Sequence, residues 1–529
     1  MKININIDHT FDYFEERYQD KIIVVQGYVF YKKELYKKKS FSKLFYTITT
    51  SQEFEDILKN IDGIYRVIIQ TPNKIWASVD SVRSLPLFYA IKNDLFIICD
   101  NANKIVQDNK VENYNHEKVK EFISLSFTSS HSTLLTDLYQ IDSGQYIEYD
   151  FDSEVIERQY YYYYLSMTTK INSKEILLEL AIEILFNVFK ELIDSVENKT
   201  IVIPLSGGYD SRLIITMLKK LNYSNIICFT YGRNSSFEVK ISKEVANKLG
   251  IKWYFIEYTE EIIKETVESK QFKEYCYYCA NFSSVPHFQD YIAVKYLHDN
   301  HLIPIDSIFV PGHSGDLLGG SHLRKLYAQY QFKHSDTLSD MIDIIYSYWY
   351  KDKNFNKNKD VIYRKDIKYY FKDATINNAV TYANLTDCWD IANRQGKFII
   401  NSCRVYEFFN YQFRLPLWNR ELASFWLSLP HYYKVEIDLY EEFVLNYIFK
   451  EYQIDFKSKK INISRKLLIR KVLGEAIFQF LKKRKKDTTL FSLFIKYMSK
   501  EFTSKYIFDS SHINQVTAIW YLESLKKLR

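Results

Sequence analysis

Glycine, proline and cysteine are all scarce in this sequence, which contains 13, 8 and 6 of them among 529 residues. The six cysteines are scattered and too few for a disulfide scaffold. No run approaches the ~20 apolar residues that a membrane-spanning helix needs, and the opening MKININID lacks the apolar stretch of a signal peptide. We therefore expect a cytoplasmic protein with reduced thiols and no membrane span.

A large excess of charge of one sign is also missing. The 71 basic and 65 acidic residues leave a net charge of +6, which gives no general nucleic-acid footprint on so large a surface. Hydrophobic residues make up 47% and charged residues 26% of the chain, as in globular proteins. A chain of this length is expected to form more than one domain.

The first part of the chain reads as short strands separated by turns, with a few helical patterns. Residues 66–69 and 75–79, for example, flank a Thr-Pro-Asn-Lys turn at 71–74 and predict a β-hairpin. We predict an α+β domain over residues 1–160, in which one sheet packs on another.

Strands and helices alternate after a predicted linker over residues 161–175. The predicted order is a helix (174–198), a strand (201–205), a helix (211–221), a strand (226–230), a helix (237–249) and a strand (253–257). This alternation predicts a parallel, doubly wound sheet. We expect it to form a second domain over residues 176–529 whose later part is mostly helical.

Six of the 13 glycines fall into two clusters, each directly after a short apolar run. They are Gly207, Gly208, Gly312, Gly315, Gly319 and Gly320. Loops at the carboxyl ends of parallel strands are where α/β sheets bind ligands, and a glycine turn before a helix lets backbone N–H groups surround a phosphate. The alternative is that both clusters are only tight turns.

The first cluster has the sequence Ser206-Gly-Gly-Tyr-Asp-Ser211. It lacks the glycine spacing and the Gly-Lys-Ser/Thr ending of a Walker A loop. A Ser-Gly-Gly-x-Asp-Ser string after a buried strand is typical of PP-loop ATP pyrophosphatases. Its serines and amides suit a pyrophosphate leaving group, and its aspartate suits Mg²⁺.

Together with Phe-Thr-Tyr-Gly at 229–232 and with Glu238, this loop resembles the synthetase domain of the asparagine synthetase family, which includes β-lactam synthetase. The second cluster, at 311–320, is similar to the family's Gly-Glu-Gly-x-Asp-Glu loop. Segments 62–65 and 80–89 resemble the family's N-terminal glutaminase. The resemblance implies a degenerate Ntn-hydrolase-like sandwich followed by a PP-loop synthetase domain.

The resemblance also implies a set of ligand-binding residues for ATP and Mg²⁺. Pyrophosphate would contact Ser206, Gly207, Gly208 and Ser211, while Leu205, Phe229, Thr230 and Gly312 would lie around the nucleotide. Asp210 and Asp316 would hold Mg²⁺. The family's catalytic lysine aligns best with Lys459, although the surrounding Phe-Lys-Ser-Lys-Lys also reads as an ordinary lysine-rich loop.

The sequence departs from the family at the glutaminase nucleophile. The family uses a cysteine exposed at the amino terminus once Met is removed, but residue 2 is Lys and the first cysteine is Cys99, in a predicted strand. We therefore interpret the N-terminal domain as a structural partner. Ammonia would come from solution or from a separate protein, or another amine would be the nucleophile.

The second loop departs as well, because His313 stands where asparagine synthetase has a glutamate, and Leu317 replaces a second one. Histidine can accept a proton near neutral pH, so His313 is a candidate base for the attacking amine. The alternatives are that it hydrogen-bonds the loop or shapes the acid pocket.

Residues that could bind the acid substrate are His287, Asp290, Glu407 and Arg414, and a structural role is an open alternative for each. Lys397 and Arg404 share a helical pattern with Glu407. Gln412 replaces the family's glutamate two residues before the arginine. With His313, this substitution argues that the acid is not simply aspartate.

Two other features favour structural explanations. Cys276 and Cys279 have metal spacing, but no second Cys/His pair lies nearby, so core packing is favoured. The basic run at 482–486 favours a solvated helix face.

Taken together, these features predict a carbon–nitrogen ligase that adenylates a carboxylate, releases pyrophosphate and forms an amide from ammonia or an amine. A sugar uronic acid for surface polysaccharide is one candidate substrate. Asparagine synthesis from aspartate and ammonia is a second interpretation, and a catalytically inactive binding or scaffold protein is a third. A homodimer is a possible assembly in each case.

Overall fold

The computed structural model describes residues 2–109, 111–162, 169, 171, 173–323, 379–456, 490–501 and 513–528. Lys459 and the basic run at 482–486 lie outside the described residues. Within the described part, three β-sheets are present, two near the amino terminus and one in the middle of the chain.

The amino-terminal part contains eleven strands and four α-helices among the described residues. The strands are β1 (Lys2–Asn6), β2 (Phe14–Tyr18), β3 (Lys21–Tyr31), β4 (Glu34–Lys37), β5 (Ile61–Gln70), β6 (Lys74–Val79), β7 (Phe88–Lys92), β8 (Leu95–Cys99), β9 (Tyr139–Gln140), β10 (Gln145–Asp150) and β11 (Ile156–Tyr160). The helices are α1 (Lys38–Lys43), α2 (Ser51–Asn60), α3 (Ala102–Asn109) and α4 (His116–Leu125). The predicted hairpin is β5–β6, in which Gln70 is opposite Ile75.

These strands form two sheets that pack face to face. One has the order β1-β8-β7-β9 and the other the order β11-β10-β6-β5-β3-β2, with β4 beside β3. Side chains alternate across β5: Ile68 packs with Phe96 and Ile98 of the smaller sheet, whereas Val67 and Ile69 pack with α1 and α2 on the other face. The predicted α+β sandwich is thus confirmed.

The rest of the described chain is built around a parallel sheet. Its strands are β12 (Ile201–Pro204), β13 (Ile226–Gly232), β14 (Lys252–Glu257), β15 (Ile308–Phe309) and β16 (Gln412–Phe413), in the order β14-β13-β12-β15-β16. All four pairings are parallel. The α/β fold class is therefore confirmed, while β16, a two-residue edge strand, was not predicted.

Seven α-helices accompany this sheet as far as residue 323. They are α5 (Lys174–Val196), α6 (Tyr209–Lys220), α7 (Phe237–Leu249), α8 (Glu260–Glu268), α9 (Lys270–Ala280), α10 (Tyr291–Asp299) and α11 (Gly315–Leu318). The α5 helix begins at Lys174, where the Ser173 hydroxyl accepts a hydrogen bond from the Ile176 N–H (3.4 Å). Cys276 and Cys279 are both buried in α9, as core packing requires.

The described residues from 379 onward are mostly helical, as predicted. Its α-helical segments are Ala379–Asp390, Arg404–Phe408, Arg420–Ser428, His431–Lys434, Asp438–Glu442, Leu490–Met498 and Ile513–Leu528. Wider π-helical turns occur at Ile391–Ile399 and Phe443–Phe449, and short 3₁₀ turns at Ile400–Cys403, Pro416–Trp418, Val435–Ile437, Lys450–Tyr452 and Ser499–Glu501. Among these described helices, none is both long and apolar enough to cross a bilayer.

A buried ion pair joins the amino-terminal sandwich to the helical part. Lys397 Nζ lies 2.7 Å from Asp142 Oδ1, and both side chains are 0% exposed. Lys397 also donates to the Ser130 carbonyl (2.5 Å), and the Tyr160 hydroxyl donates to Asp142 Oδ2 (2.9 Å). The helical pattern that Lys397 shares with Glu407 suggested that its charge could bind a substrate, but the side chain is enclosed between these two parts of the chain.

Candidate active site

The first glycine cluster forms a tight turn between β12 and α6. The Ser206 N–H donates to Ser211 Oγ (3.0 Å), and the Gly208 N–H donates to Ser206 Oγ (3.2 Å). The two serine hydroxyls are also hydrogen-bonded to each other at 3.1 Å. The loop therefore ends at the amino terminus of a twelve-residue helix, where the free N–H groups and the helix dipole favour an anion.

A buried arginine holds this loop from behind. Arg212 donates to the carbonyls of Gly208 (Nε, 2.9 Å) and Gly207 (Nη2, 3.2 Å). Its Nη1 donates to the carbonyls of Ile454 (2.9 Å) and Phe456 (2.8 Å). Burial lowers the pKa of Arg212 to about 10. Nothing local in the sequence distinguishes Arg212 from an ordinary helix arginine, so its role was not predicted.

The second glycine cluster lies against the first. A Cβ at Gly312 would stand only 2.7 Å from the Ser211 backbone nitrogen, so the two loops approach more closely than a side chain allows. Ser314 adopts a left-handed conformation (φ +73°), and its hydroxyl donates to Gln395 Oε1 (2.7 Å). This turn begins α11, which carries Asp316.

Asp210 and Asp316, from the two loops, are neighbours. The Asp316 backbone N–H donates to Asp210 Oδ2 (3.1 Å), and the Tyr440 hydroxyl donates to Asp210 Oδ1 (2.8 Å). Asp316 Oδ2 accepts from the Ser321 hydroxyl (3.2 Å). The structure thus brings together the two carboxylates that the sequence singled out, and adds Tyr440, which it did not.

The electrostatics of this pair favour a cation. Burial, and then the negative charge of Asp316, raise the pKa of Asp210 to about 7. Within the described ranges, this site included, no group of three or more His, Cys, Asp or Glu side chains could form a closed metal centre. One or two carboxylates, completed by phosphate oxygens and water, are the usual protein ligands of nucleotide-bound Mg²⁺. The residues present fit that ion.

Gly315 leaves no room for a side chain at this point. A Cβ there would lie 2.6 Å from both Asp210 Oδ1 and the Tyr440 hydroxyl. Gly315→Ala should therefore separate the two loops and lower the free energy of unfolding by about 1–3 kcal/mol. Under the reaction expected from the sequence, it should also reduce ATP–pyrophosphate exchange by about 100-fold. Gly250→Ala is the control, since its Cβ would meet nothing within 4 Å. Because Gly250 has a left-handed φ of +65°, Gly250→Ala should lower the free energy of unfolding by about 1 kcal/mol and leave exchange unchanged. Equal exchange rates in the two variants would contradict the prediction.

A cavity of about 400 Å³ opens beside the two loops. Its wall includes both loop serines, Gly312 and His313, together with His287 and Asp290. Ser402 and Asn514 also line it and were not predicted, since they come from distant parts of the chain. Tyr231, within the Phe-Thr-Tyr-Gly motif at 229–232, lines it as well, although no role was predicted for its side chain. Leu205, Phe229 and Thr230 do not line the cavity; they are buried beneath the loop, where Thr230 Oγ1 donates to the Leu205 carbonyl (2.7 Å).

The His313 ring is held in one tautomer by Ser402. Ser402 Oγ lies 2.8 Å from His313 Nε2 and donates its single hydrogen to the Ile399 carbonyl (2.7 Å). With the hydroxyl hydrogen directed at Ile399, His313 Nε2 is the donor to Ser402, and Nδ1 of the neutral ring then carries no hydrogen and can accept one. Burial lowers the pKa of His313 to about 4, so the ring is neutral near pH 7.

His287 and Asp290 are also in the cavity wall. Burial, followed by the influence of His313, lowers the pKa of His287 to about 3. Asp290 Oδ1 accepts from the Tyr231 hydroxyl (2.5 Å), and Asp290 Oδ2 accepts from the Tyr406 hydroxyl (3.1 Å). Burial raises the pKa of Asp290, although both hydroxyls oppose that shift.

Glu407 and Arg414 are not brought to this cavity. Glu407 is paired with Arg404, three residues earlier on the same turn, and accepts from the Tyr278 hydroxyl (3.3 Å). The Arg414 guanidinium is fully buried, donates to Ser195 Oγ (3.1 Å) and lies 4.3 Å from the centre of the Tyr28 ring. Both side chains are therefore occupied by contacts within the fold.

Comparison with known proteins identifies the central part of the chain. The sequence model of the asparagine synthase family matches residues 191–452. A protein of Methanocaldococcus jannaschii named "Putative asparagine synthetase (glutamine-hydrolyzing) 2" is 24% identical over 216 residues, 40% of this chain and 41% of that protein. The chain thus matches about two fifths of the length of this curated relative.

Solved structures also show local likeness. The NH3-dependent NAD synthetase from Campylobacter jejuni matches 39% of this chain and 99% of its own at 15% identity, with a TM-score of 0.20. The NMN synthetase from Francisella tularensis matches 43% and 98% at 11% identity, with a TM-score of 0.21. Residues 191–452 of the chain are thus similar in sequence to the asparagine synthase family.

Proposed function

We propose that this protein is an ATP-dependent, AMP-forming ligase that joins a carboxylic acid to ammonia or an amine. The observation that carries the proposal is the pairing of Asp210 with Asp316 beside an anion-binding helix terminus. This arrangement suits a metal-bound triphosphate, and the cavity next to it has room for further substrate.

The chemistry follows from the poor reactivity of a carboxylate. An oxygen of the acid attacks the α-phosphorus of ATP, the bond to the β-phosphate oxygen breaks, and pyrophosphate leaves. The nitrogen of ammonia or an amine then attacks the acyl carbon, AMP leaves with the bridging oxygen, and the nitrogen loses a proton. Both steps need stabilised negative charge and a proton acceptor.

The residues of the two loops supply the charge stabilisation in this proposal. Ser206, Gly207, Gly208 and Ser211 hold the departing pyrophosphate with hydroxyl and N–H donors at the start of α6. Asp210 and Asp316 hold Mg²⁺, which when bound offsets charge on the phosphates. Lys459 would add a positive charge, and Arg212 ties the loop to Ile454 and Phe456, just before that lysine in sequence.

His313 is the proposed proton acceptor for the amine, through Nδ1. Its pKa of about 4 keeps the ring unprotonated near pH 7 but makes it a weaker base than an ordinary histidine. His313→Gln should lower amide formation by about 100-fold while acid-dependent pyrophosphate exchange stays within about twofold, because adenylation needs no such base. His301→Gln, at an exposed position, is the control and should change neither rate. Loss of exchange together with ligation would place His313 outside proton transfer.

The same histidine should make the fold sensitive to acid. Its pKa of about 4 in the folded protein lies below the ordinary value near 6.5, so the unfolded chain binds more protons between these pH values. The stability contributed by neutral His313 is complete above pH 6.5 and is lost as the pH falls towards 4. Thermal unfolding across this range should show a smaller acid-induced loss in His313→Gln than in His301→Gln, and equal losses would contradict it.

Free ammonia, not glutamine, is the proposed nitrogen source. Cys99 is fully buried in β8, and burial raises the pKa of its thiol to about 12, so it is no substitute for an exposed thiolate. Ammonium salts should therefore support amide formation and glutamine should not. Glutamate release from glutamine by the purified protein, with no second protein present, would contradict this proposal.

The acid is proposed to be other than aspartate, with a sugar uronic acid as the candidate. Support comes from His313 and Gln412, and from the placement of Arg414 away from the cavity. ATP–pyrophosphate exchange with a panel of acids tests this proposal. Exchange that responds best to uronic acids supports it, exchange with aspartate favours an asparagine synthase, and no exchange with any acid favours a scaffold.

A further inference from the structure

The carboxylate of Asp290 is held by tyrosines instead of by the helix that it begins. Asp290 precedes α10, yet its side chain makes no capping hydrogen bond, although aspartate at this position usually accepts from the helix N–H groups. Its two oxygens accept from the Tyr231 and Tyr406 hydroxyls, which come from β13 and from the helix Arg404–Phe408. The carboxylate is thus fixed in the cavity wall.

This arrangement leaves two adjacent hydrogen-bond acceptors for a ligand. Each tyrosine uses its only hydrogen on Asp290, and each carboxylate oxygen retains a further acceptor site. A ligand that fits must carry two neighbouring donors. An ammonium group or a pair of hydroxyls on adjacent carbons would satisfy that requirement.

The surrounding side chains favour the hydroxyl pair. His287 lines the same cavity and is neutral near pH 7. It therefore adds no second negative charge that would favour an ammonium group over a pair of hydroxyls. The His287 ring lies 4.5 Å from that of Phe398, also in the wall, which offers an apolar face to the C–H groups of a sugar ring.

We infer that Asp290, positioned by Tyr231 and Tyr406, binds the vicinal diol of a sugar ring. The inference rests on the proposed function, in which two such rings would enter the cavity: the ribose of ATP and the ring of a sugar acid. Both sources present the same chemistry to the carboxylate, and the ligands used in the test separate them.

The test compares Asp290→Asn and Tyr406→Phe with the wild type. Asp306→Asn, at an exposed position, is the matched control for the loss of one carboxylate. Calorimetric titrations use ATP and 2′,3′-dideoxy-ATP with Mg²⁺, and pyrophosphate exchange gives the KM of a uronic acid and of its deoxygenated analogue. Thermal unfolding checks that each variant is folded, and Tyr406→Phe serves if Asp290→Asn is not.

If the ribose is bound, Asp290→Asn should weaken ATP binding about tenfold and should not further weaken binding of the dideoxy nucleotide. If the sugar acid is bound, ATP affinity should be unchanged and the KM of the uronic acid should rise about tenfold. Tyr406→Phe should have a smaller effect in the same direction. Folded variants that keep every value within twofold would overturn the inference, as would an effect confined to acids that carry an ammonium group.

These outcomes are distinguishable from failure of the proposed function. The ATP titration requires no turnover, so diol-dependent ATP binding without pyrophosphate release for any acid would contradict the ligase and leave the diol site in place. Acid-dependent pyrophosphate release at the same rate in Asp290→Asn and the wild type, with unchanged ATP affinity and acid KM, would support the ligase and contradict the diol site.

Discussion

Asp210→Asn and Asp316→Asn should each reduce acid-dependent ATP–pyrophosphate exchange by about 10³-fold or more. Each substitution removes one of the two carboxylates proposed to hold Mg²⁺ against the departing pyrophosphate, where charge develops in the transition state. Exchange measured at saturating Mg²⁺ and ATP checks the prediction. Asp306→Asn, exposed and outside the cavity, should retain wild-type exchange.

Although Asp210→Asn should lose activity, it should not lose stability. Without divalent cations, Asp210→Asn removes the repulsion between two neighbouring carboxylates and replaces a buried charge with an amide. Its melting temperature should be equal to or above that of the wild type, and Mg²⁺ with ATP should stabilise the wild type much more than the variant. A variant that is less stable but still gains fully from Mg²⁺ and ATP would show that Asp210 has a structural role only.

Lys397→Met should lower the free energy of unfolding by about 3–5 kcal/mol, because it removes the ammonium group that lies 2.7 Å from Asp142 Oδ1 at a site where both side chains are 0% exposed. Burial lowers the pKa of Lys397 to about 8, although Asp142 opposes the shift. For Asp142, burial alone would raise the pKa, but the charge and hydrogen bond of Lys397, the charge of His131 and the hydrogen bond from Tyr160 together outweigh it, and the pKa lies below its ordinary value. Unfolding by urea measures the loss.

Two further variants make this result specific. The double variant Asp142→Leu/Lys397→Met should recover most of the lost stability, because a buried ion pair can be replaced by apolar side chains at little net cost. Lys295→Met breaks the exposed pair with Asp299 (2.6 Å) and should change stability by less than about 1 kcal/mol. A loss for Lys397→Met no greater than that for Lys295→Met would mean that the two parts of the chain do not depend on this contact.

Patterns that are local in sequence predicted much of this fold. The hairpin β5–β6 follows from two apolar runs around a proline-containing turn, and the parallel sheet follows from alternating strands and helices. The close approach of Asp210 and Asp316 follows from two glycine loops after neighbouring parallel strands. Each of these features is determined by the pattern within one segment of the chain or by the order of two neighbouring strands in the sheet.

Contacts between distant segments could not be predicted in this way. Tyr440 reaches Asp210 across 230 residues, and Tyr406 reaches Asp290 across 116. The helical pattern around Glu407 indicated a shared face with Arg404, but not that an i, i+3 pair would satisfy both charges inside the protein. Arg414 is an arginine in a family-like segment, and only the packing of Tyr28 and Ser195 around it reveals its structural contacts.

The transfer of a carboxylate oxygen to AMP is the most direct test of the reaction proposed here. An acid that supports exchange is labelled with oxygen-18 in its carboxylate and turned over once with ATP, Mg²⁺ and ammonium. Attack on the α-phosphorus predicts one labelled oxygen in AMP and none in pyrophosphate. Label in inorganic phosphate, with ADP as the nucleotide product, would mean that the γ-phosphoryl group is transferred and would contradict the account.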